Sequence, residues 1–192
     1  MPHPPSQISG PWARAIGSTG EKLAAFATHP RAAFASLPQE GGVLTSVAYA
    51  WGLCAAGIVL GAGARAALGA EVDARGTILL ACLAPPLYVY LRSQALHLGL
   101  VLAGRVNTGL ASTLRVVAYS NGTAGLLLAV PWLGEFLFLL AGAALEATGT
   151  GVCHRLSTGA AVAAEAGLAA LLVIGLLGAL LAGLLWWSQS RA

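Results

Sequence analysis

Long apolar runs alternate with short polar breaks along most of the chain. The opening residues, Met1 to Gly20, are rich in Pro, Ser and Gly and have no periodicity, which predicts a flexible tail over 1–20. They also lack the apolar core of a signal peptide. Over 21–41, Leu23, Phe26, Phe34 and Leu37 are set among Lys22 and Arg31, and Pro30 suits the first turn of a short helix. Such a mixture predicts amphipathic pieces lying on a membrane surface.

Five apolar runs follow, at about Gly42–Ala64, Thr77–Ala103, Thr113–Pro131, Glu135–Val152 and Ala160–Trp187. A helix needs roughly 20 apolar residues to cross a bilayer. The pattern therefore predicts an all-α, polytopic membrane helix bundle with five transmembrane helices over 42–187, and a short tail at 188–192. Gly57 and Gly61 form a GxxxG in the first run, and Gly175, Ala179 and Gly183 recur at the same spacing in the last; both patterns allow close helix contact. Pro85-Pro86 is expected to kink or break the second run. The break at Pro131–Gly134 is so short that the runs on either side of it must be antiparallel neighbours, and Trp132 and Trp186-Trp187 stand where interfacial aromatics belong.

Composition agrees with lipid as the solvent. Hydrophobic residues make up 57% of the 192 and charged ones only 9%, with a mean hydropathy of +0.78; a soluble domain carries roughly 25% charged residues. The formal charge of +3 is spread out, so no nucleic-acid partner is expected. Cys54, Cys82 and Cys153 are far apart with no CxxC spacing, which argues against a disulfide framework and a zinc site. Arginine outnumbers lysine, and Ala, Gly and Leu dominate, as in a GC-rich bacterial genome. Arg14, Lys22, Arg31, Arg105, Arg115 and Arg155 fall on one side of a five-span topology, against Arg65, Arg75 and Arg191 on the other. The positive-inside rule then puts the N-terminus in the cytoplasm and the C-terminus outside, in a bacterial inner membrane.

Polar groups inside the spans are the candidate chemistry, because an ionisable residue there costs about 3 kcal/mol on insertion scales. The candidate intramembrane polar site is Arg92, His97, Arg115, Tyr119, Glu146 and His154. Arg92 lies roughly 22 Å along the second span from Thr77, and Glu146 roughly 21 Å along the fourth from Trp132. Either the two meet in the bundle interior, with Glu165 as a second partner, or Arg92 snorkels to the cytoplasmic interface. His97 and Tyr119 are expected to face each other near the cytoplasmic end, with His154 close by. Such a cluster binds metal, shuttles protons or only holds helices together. The spacings HxxxH and HExxH are absent, as are GxSxG and a P-loop. No catalytic residue, cofactor or metal is therefore expected, and the protein is read as no enzyme.

Three pieces carry a family likeness: HPRAAFASLP at His29–Pro38, the hairpin ALHLGLVLAGRVNTGLASTLRVVAYS at Ala95–Ser120, and the order of Pro131, His154 and Ser157 behind it. In these the chain resembles the bacterial branch of the Ypt/Rab-interacting-protein (Yip) domain family over about Ala25 to Trp187. The resemblance implies a small five-span membrane fold. Eukaryotic members are associated with Rab-type GTPases and vesicle traffic, but the acidic N-terminal motif of some of them is missing here. The expected function is a non-enzymatic membrane-organising or partner-binding protein. A small transporter or lipid-translocating protein, acting as an oligomer, is the alternative. The lipid bilayer is the expected partner, joined by a protein or a second copy of the chain.

Overall fold

The computed structural model describes residues 11–37, 42–164 and 166–167. Six α-helices follow one another: α1 (Pro11–Thr28), α2 (Pro30–Ala35), α3 (Val43–Ala67), α4 (Ala74–Leu102), α5 (Leu110–Gly125) and α6 (Gly134–Cys153). A single 3-10 turn, Leu126–Ala129, extends α5, and helical backbone resumes over 158–164. No strand occurs among the described residues. Most of the fifth expected span, with Glu165 and the Gly175–Gly183 stripe, and the tail at 188–192 lie outside them.

Among the described residues three helices, α3, α4 and α6, are long and apolar enough to cross a membrane. Their outward faces are bare of protein: Leu44, Val59 and Leu60 on α3, Leu79, Leu83 and Leu91 on α4, and Phe136, Leu139 and Leu140 on α6 are all exposed. In water such a surface would drive aggregation, whereas in lipid tails it is neutral. α5 is different. It has 16 residues, and most of them are buried, including Arg115, Ser120 and Asn121. It packs against α3, α4 and α6, and these shield it from solvent. A central helix can therefore carry more polar residues than its neighbours, since its side chains meet other side chains rather than lipid.

α3 and α5 run parallel and almost touch. A Cβ at Gly57 would overlap the Gly125 carbonyl, and one at Gly61 would overlap the carbonyl of Leu128 in the 3-10 turn. The approach is reciprocal: a Cβ at Gly122 would lie 2.6 Å from the Tyr49 ring, and one at Gly125 would lie 2.7 Å from Cys54 Sγ. The GxxxG of the first run is thus the seam of this contact. The opposite edge of α5 meets α6 in the same manner, where Gly149 leaves room for Val116 and Phe34.

Of the kink or break expected at Pro85-Pro86, the break does not occur: α4 runs through both prolines. Proline at position 85 removes the N–H that the Ala81 carbonyl would otherwise accept. The indole N–H of Trp51 on α3 replaces it, donating to Ala81 O at 3.1 Å. In the N-terminal region the backbone is helical from Pro11 onward, where a tail was expected over 1–20, and Phe26 and Phe34 face inward. Phe26 and Phe34 are buried, with ring centroids 4.8 Å apart, and Phe26 stacks on Tyr119 at 4.9 Å. Tyr119 in turn lies 5.1 Å from Tyr49. Aromatic rings bury more area against other rings than against a wet headgroup layer. So α1 and α2 cap the end of the bundle, and Arg31 ties α2 to Thr158 through a 2.7 Å hydrogen bond.

The glycine seam gives a paired test. Gly57→Ala forces the α3 and α5 backbones apart and is expected to cost about 1–3 kcal/mol, the usual range for overpacking. Gly63→Ala, on the same helix but facing open space, is expected to leave stability unchanged or slightly raised. Thermal unfolding of both variants in detergent checks this; equal midpoints would rule out the seam as a source of stability.

Candidate functional site

Glu146 is the deepest charge in the bundle. It is 1% exposed and stands in the middle of α6, where the helix faces both α4 and α5. Arg92 of α4 binds one carboxylate oxygen, with Nε 3.0 Å and a terminal guanidinium nitrogen 2.9 Å from Oε2. Asn121 of α5 donates its amide N–H to the other oxygen, Oε1, at 2.5 Å, and to the Val117 carbonyl at 2.8 Å. The thiol of Cys54 on α3 donates to the Asn121 backbone carbonyl at 3.3 Å. One buried cluster therefore joins all four of these helices. Gly142 on α6 makes room for it, since a Cβ there would press on Asn121 Oδ1 at 3.1 Å. Of the two arrangements open to Arg92, the geometry has the inward one.

A second cluster lies toward the turn between α4 and α5. His154 is fully buried at the C-cap of α6. The Asn107 backbone N–H points at its Nδ1 from 3.4 Å, so Nδ1 carries the lone pair and Nε2 the proton. Nε2 faces Thr113 Oγ1 at 3.1 Å, and that hydroxyl reaches His97 Nδ1 at 3.0 Å. The result is a directional chain from His154 through Thr113 to His97. The Asn107 amide bonds the His154 carbonyl, and Thr108 Oγ1 lies 3.2 Å from Nδ1. Burial, aided by the neighbouring His97, holds the His154 imidazole below its usual range and keeps it neutral.

His97 and Tyr119 do not meet. Six residues separate Thr113 from Tyr119, about 240° around a helix, so they leave α5 on different faces. Tyr119 joins the aromatic cap with Phe26 and Tyr49, while His97 faces Thr113. Arg115 goes elsewhere again. It is 4% exposed and borders a cleft of about 830 Å³ between α2, the α4–α5 turn, the start of α5 and the end of α6. The six candidate residues thus divide among an ion-pair cluster, a histidine chain, an aromatic cap and a cleft. Among the described residues no three His, Cys, Asp or Glu side chains are placed to hold a metal ion. The hydroxyls of Ser120 on α5 and Thr150 on α6 are buried without a hydrogen-bond partner.

Asn121, Thr113, Asn107, Thr108 and Cys54 are working members of these clusters that hydropathy reading passes over. Asn121 had a usable signal: an amide within an apolar run needs a partner. Thr113 and Cys54 had none, because Thr and Cys are ordinary in apolar helices.

Leaving one member of a buried pair uncompensated costs about 3–5 kcal/mol, whereas removing both members is often close to neutral. Arg92→Leu alone is therefore expected to lower the thermal midpoint steeply, and Arg92→Leu with Glu146→Leu to recover much of the loss. A silent single variant would mean that the pair does not hold the bundle. For His154, the folded state prefers the neutral ring, so its stabilisation is present above the ordinary histidine value of 6.5 and is lost as pH falls from there toward the lowered folded value. The unfolding midpoint is expected to drop as the pH falls below the ordinary histidine value of 6.5, and His154→Gln to flatten that drop.

The chain matches no protein-family model, no curated protein and no solved structure.

Proposed function

We propose that this is a five-span integral membrane protein of the Yip type, set in a bacterial inner membrane with its N-terminus in the cytoplasm. Its role is non-enzymatic: it organises membrane or binds a partner. The observation that carries this reading is that the mid-depth charges on α4 and α6, Arg92 and Glu146, are spent on each other and on Asn121. A closed, hydrogen-bonded ion pair is a lock between helices and leaves no open charged path through them. α5 with its 3-10 extension supports a crossing of its own. Its 16 and 4 residues span about 32 Å at the usual rises, against a hydrocarbon core of about 30 Å. The orientation rests on charge. Lys22, Arg31, Arg105, Arg115 and Arg155 lie toward the capped end, while the other end mixes Arg65 and Arg75 with Glu71, Asp73 and Glu135. The Yip assignment rests on the sequence likeness of the hairpin around Arg105.

A small transporter or lipid-translocating protein working as an oligomer is the second reading, and the His154–Thr113–His97 chain is what favours it. Proteoliposomes decide between the two. The locked bundle is expected to show no flux of protons, ions or labelled lipid above empty vesicles. Flux that disappears in His97→Ala or Arg92→Leu would replace the first reading by the second. Reporter fusions at Gly69, Gly104, Trp132 and Arg155 are expected to alternate between the two sides of the membrane, with Gly104 and Arg155 cytoplasmic.

A further inference from the structure

We propose that the cleft at the start of α5 is a phosphate-binding site, in which Arg115 and Arg155 grip the anion beside the first turn of that helix. The proposal goes beyond the membrane role above and does not depend on it. Arg115 and Arg155 both line one cleft of about 830 Å³. Arg115 is nearly fully buried. Arg155 is exposed and lies just past the end of α6, on the same lining. Paired arginines suit phosphate because each planar fork donates two parallel N–H groups to two oxygens.

The floor of the cleft adds donors of the same kind. Its lining includes Gly109, Ala111 and Ser112, the N-cap and first turn of α5, and no side chain caps that turn. Ser112 N–H bonds the Gly109 carbonyl at 2.9 Å, so the helix offers the earlier N–H groups of that turn and the positive end of its dipole. Thr108 and Ser112 lie on the same lining. Phe34, Leu37 and Val152 add apolar surface to the lining. The cleft is far larger than a bare phosphate needs and falls in the range of small-molecule pockets. The fitting ligand is a phosphate carried on a larger, partly apolar group: a phospholipid headgroup, or a soluble phosphorylated compound.

The backbone supplies a clean variant. α3, α4 and α6 each end with a left-handed residue just beyond the cap, with φ of 85° at Gly69, 63° at Gly104 and 56° at Arg155. At Arg155 the motif is closed by Leu156 N–H to Gly151 O at 2.8 Å and Arg155 N–H to Val152 O at 3.4 Å. Glycine adopts this conformation without strain and arginine does not. Arg155→Gly thus removes the charge while easing the fold.

The test uses the full chain in detergent with inorganic phosphate at constant ionic strength, and in phosphatidylcholine vesicles with and without phosphatidic acid. Binding is read by calorimetry in the first case and by lipid retained on purification in the second. Wild type is expected to bind in at least one arm; phosphate alone marks a soluble ligand, and phosphatidic acid alone marks a headgroup. Arg155→Gly is expected to weaken that binding about tenfold or more, with an unchanged or higher thermal midpoint. Arg115→Gln, whose folding the midpoint also monitors, is expected to weaken it further. No binding in either arm, or binding by Arg155→Gly as tight as wild type, would overturn the proposal.

Discussion

A carboxylate at mid-depth in an apolar bundle has no water to turn to, and the arrangement of four helices follows from how Glu146 is satisfied. Its two oxygens face different neighbours, Arg92 on α4 and Asn121 on α5, and the Asn121 backbone accepts the thiol of Cys54 on α3. In a low-dielectric interior each of these contacts is stronger than it would be in water, and each is more costly to break. A slide of any one helix by a turn would strand a charge or an amide. The cluster therefore sets register, a task that non-directional packing of Leu and Ala performs poorly.

Packing then makes the register possible. α5 can lie at the centre only because its neighbours come unusually close. Gly57 and Gly61 on α3 face Gly125 and the Leu128 carbonyl, and Gly149 on α6 faces Val116 and Phe34. Close approach shortens every side-chain hydrogen bond that crosses the gap. On another face of α3, Trp51 serves the Ala81 carbonyl that Pro85 leaves without a donor. The aromatic cap of Phe26, Phe34 and Tyr119 closes the end from which the histidine chain and the cleft are reached.

Much of the candidate site was legible as a set of residues and little of it as an arrangement. Arg92 and Glu146 stand out because charges in apolar runs are rare, and their matching depths follow from helix rise alone. His97 and Tyr119 stand out for the same reason, yet they part company because their contacts leave α5 on different faces. Rotation about the helix axis is set by which small residues meet at the seam, and hydropathy does not encode it. Phe26 and Phe34 looked like membrane-surface residues because an amphipathic face has the same pattern whether it meets lipid or a protein core.

By itself the sequence determined an all-helical chain whose solvent is lipid, since length and apolarity of a segment decide both. It also determined which side chains are too polar to be left alone there. Tertiary structure decided the rest. It made the central helix the shortest and most polar of the four, turned the surface pieces into a cap, and carried helix α4 through two prolines. It also brought Arg115, Arg155 and the start of α5 to a single cleft. These outcomes depend on contacts between residues tens of positions apart, and only the packed bundle brings those residues together.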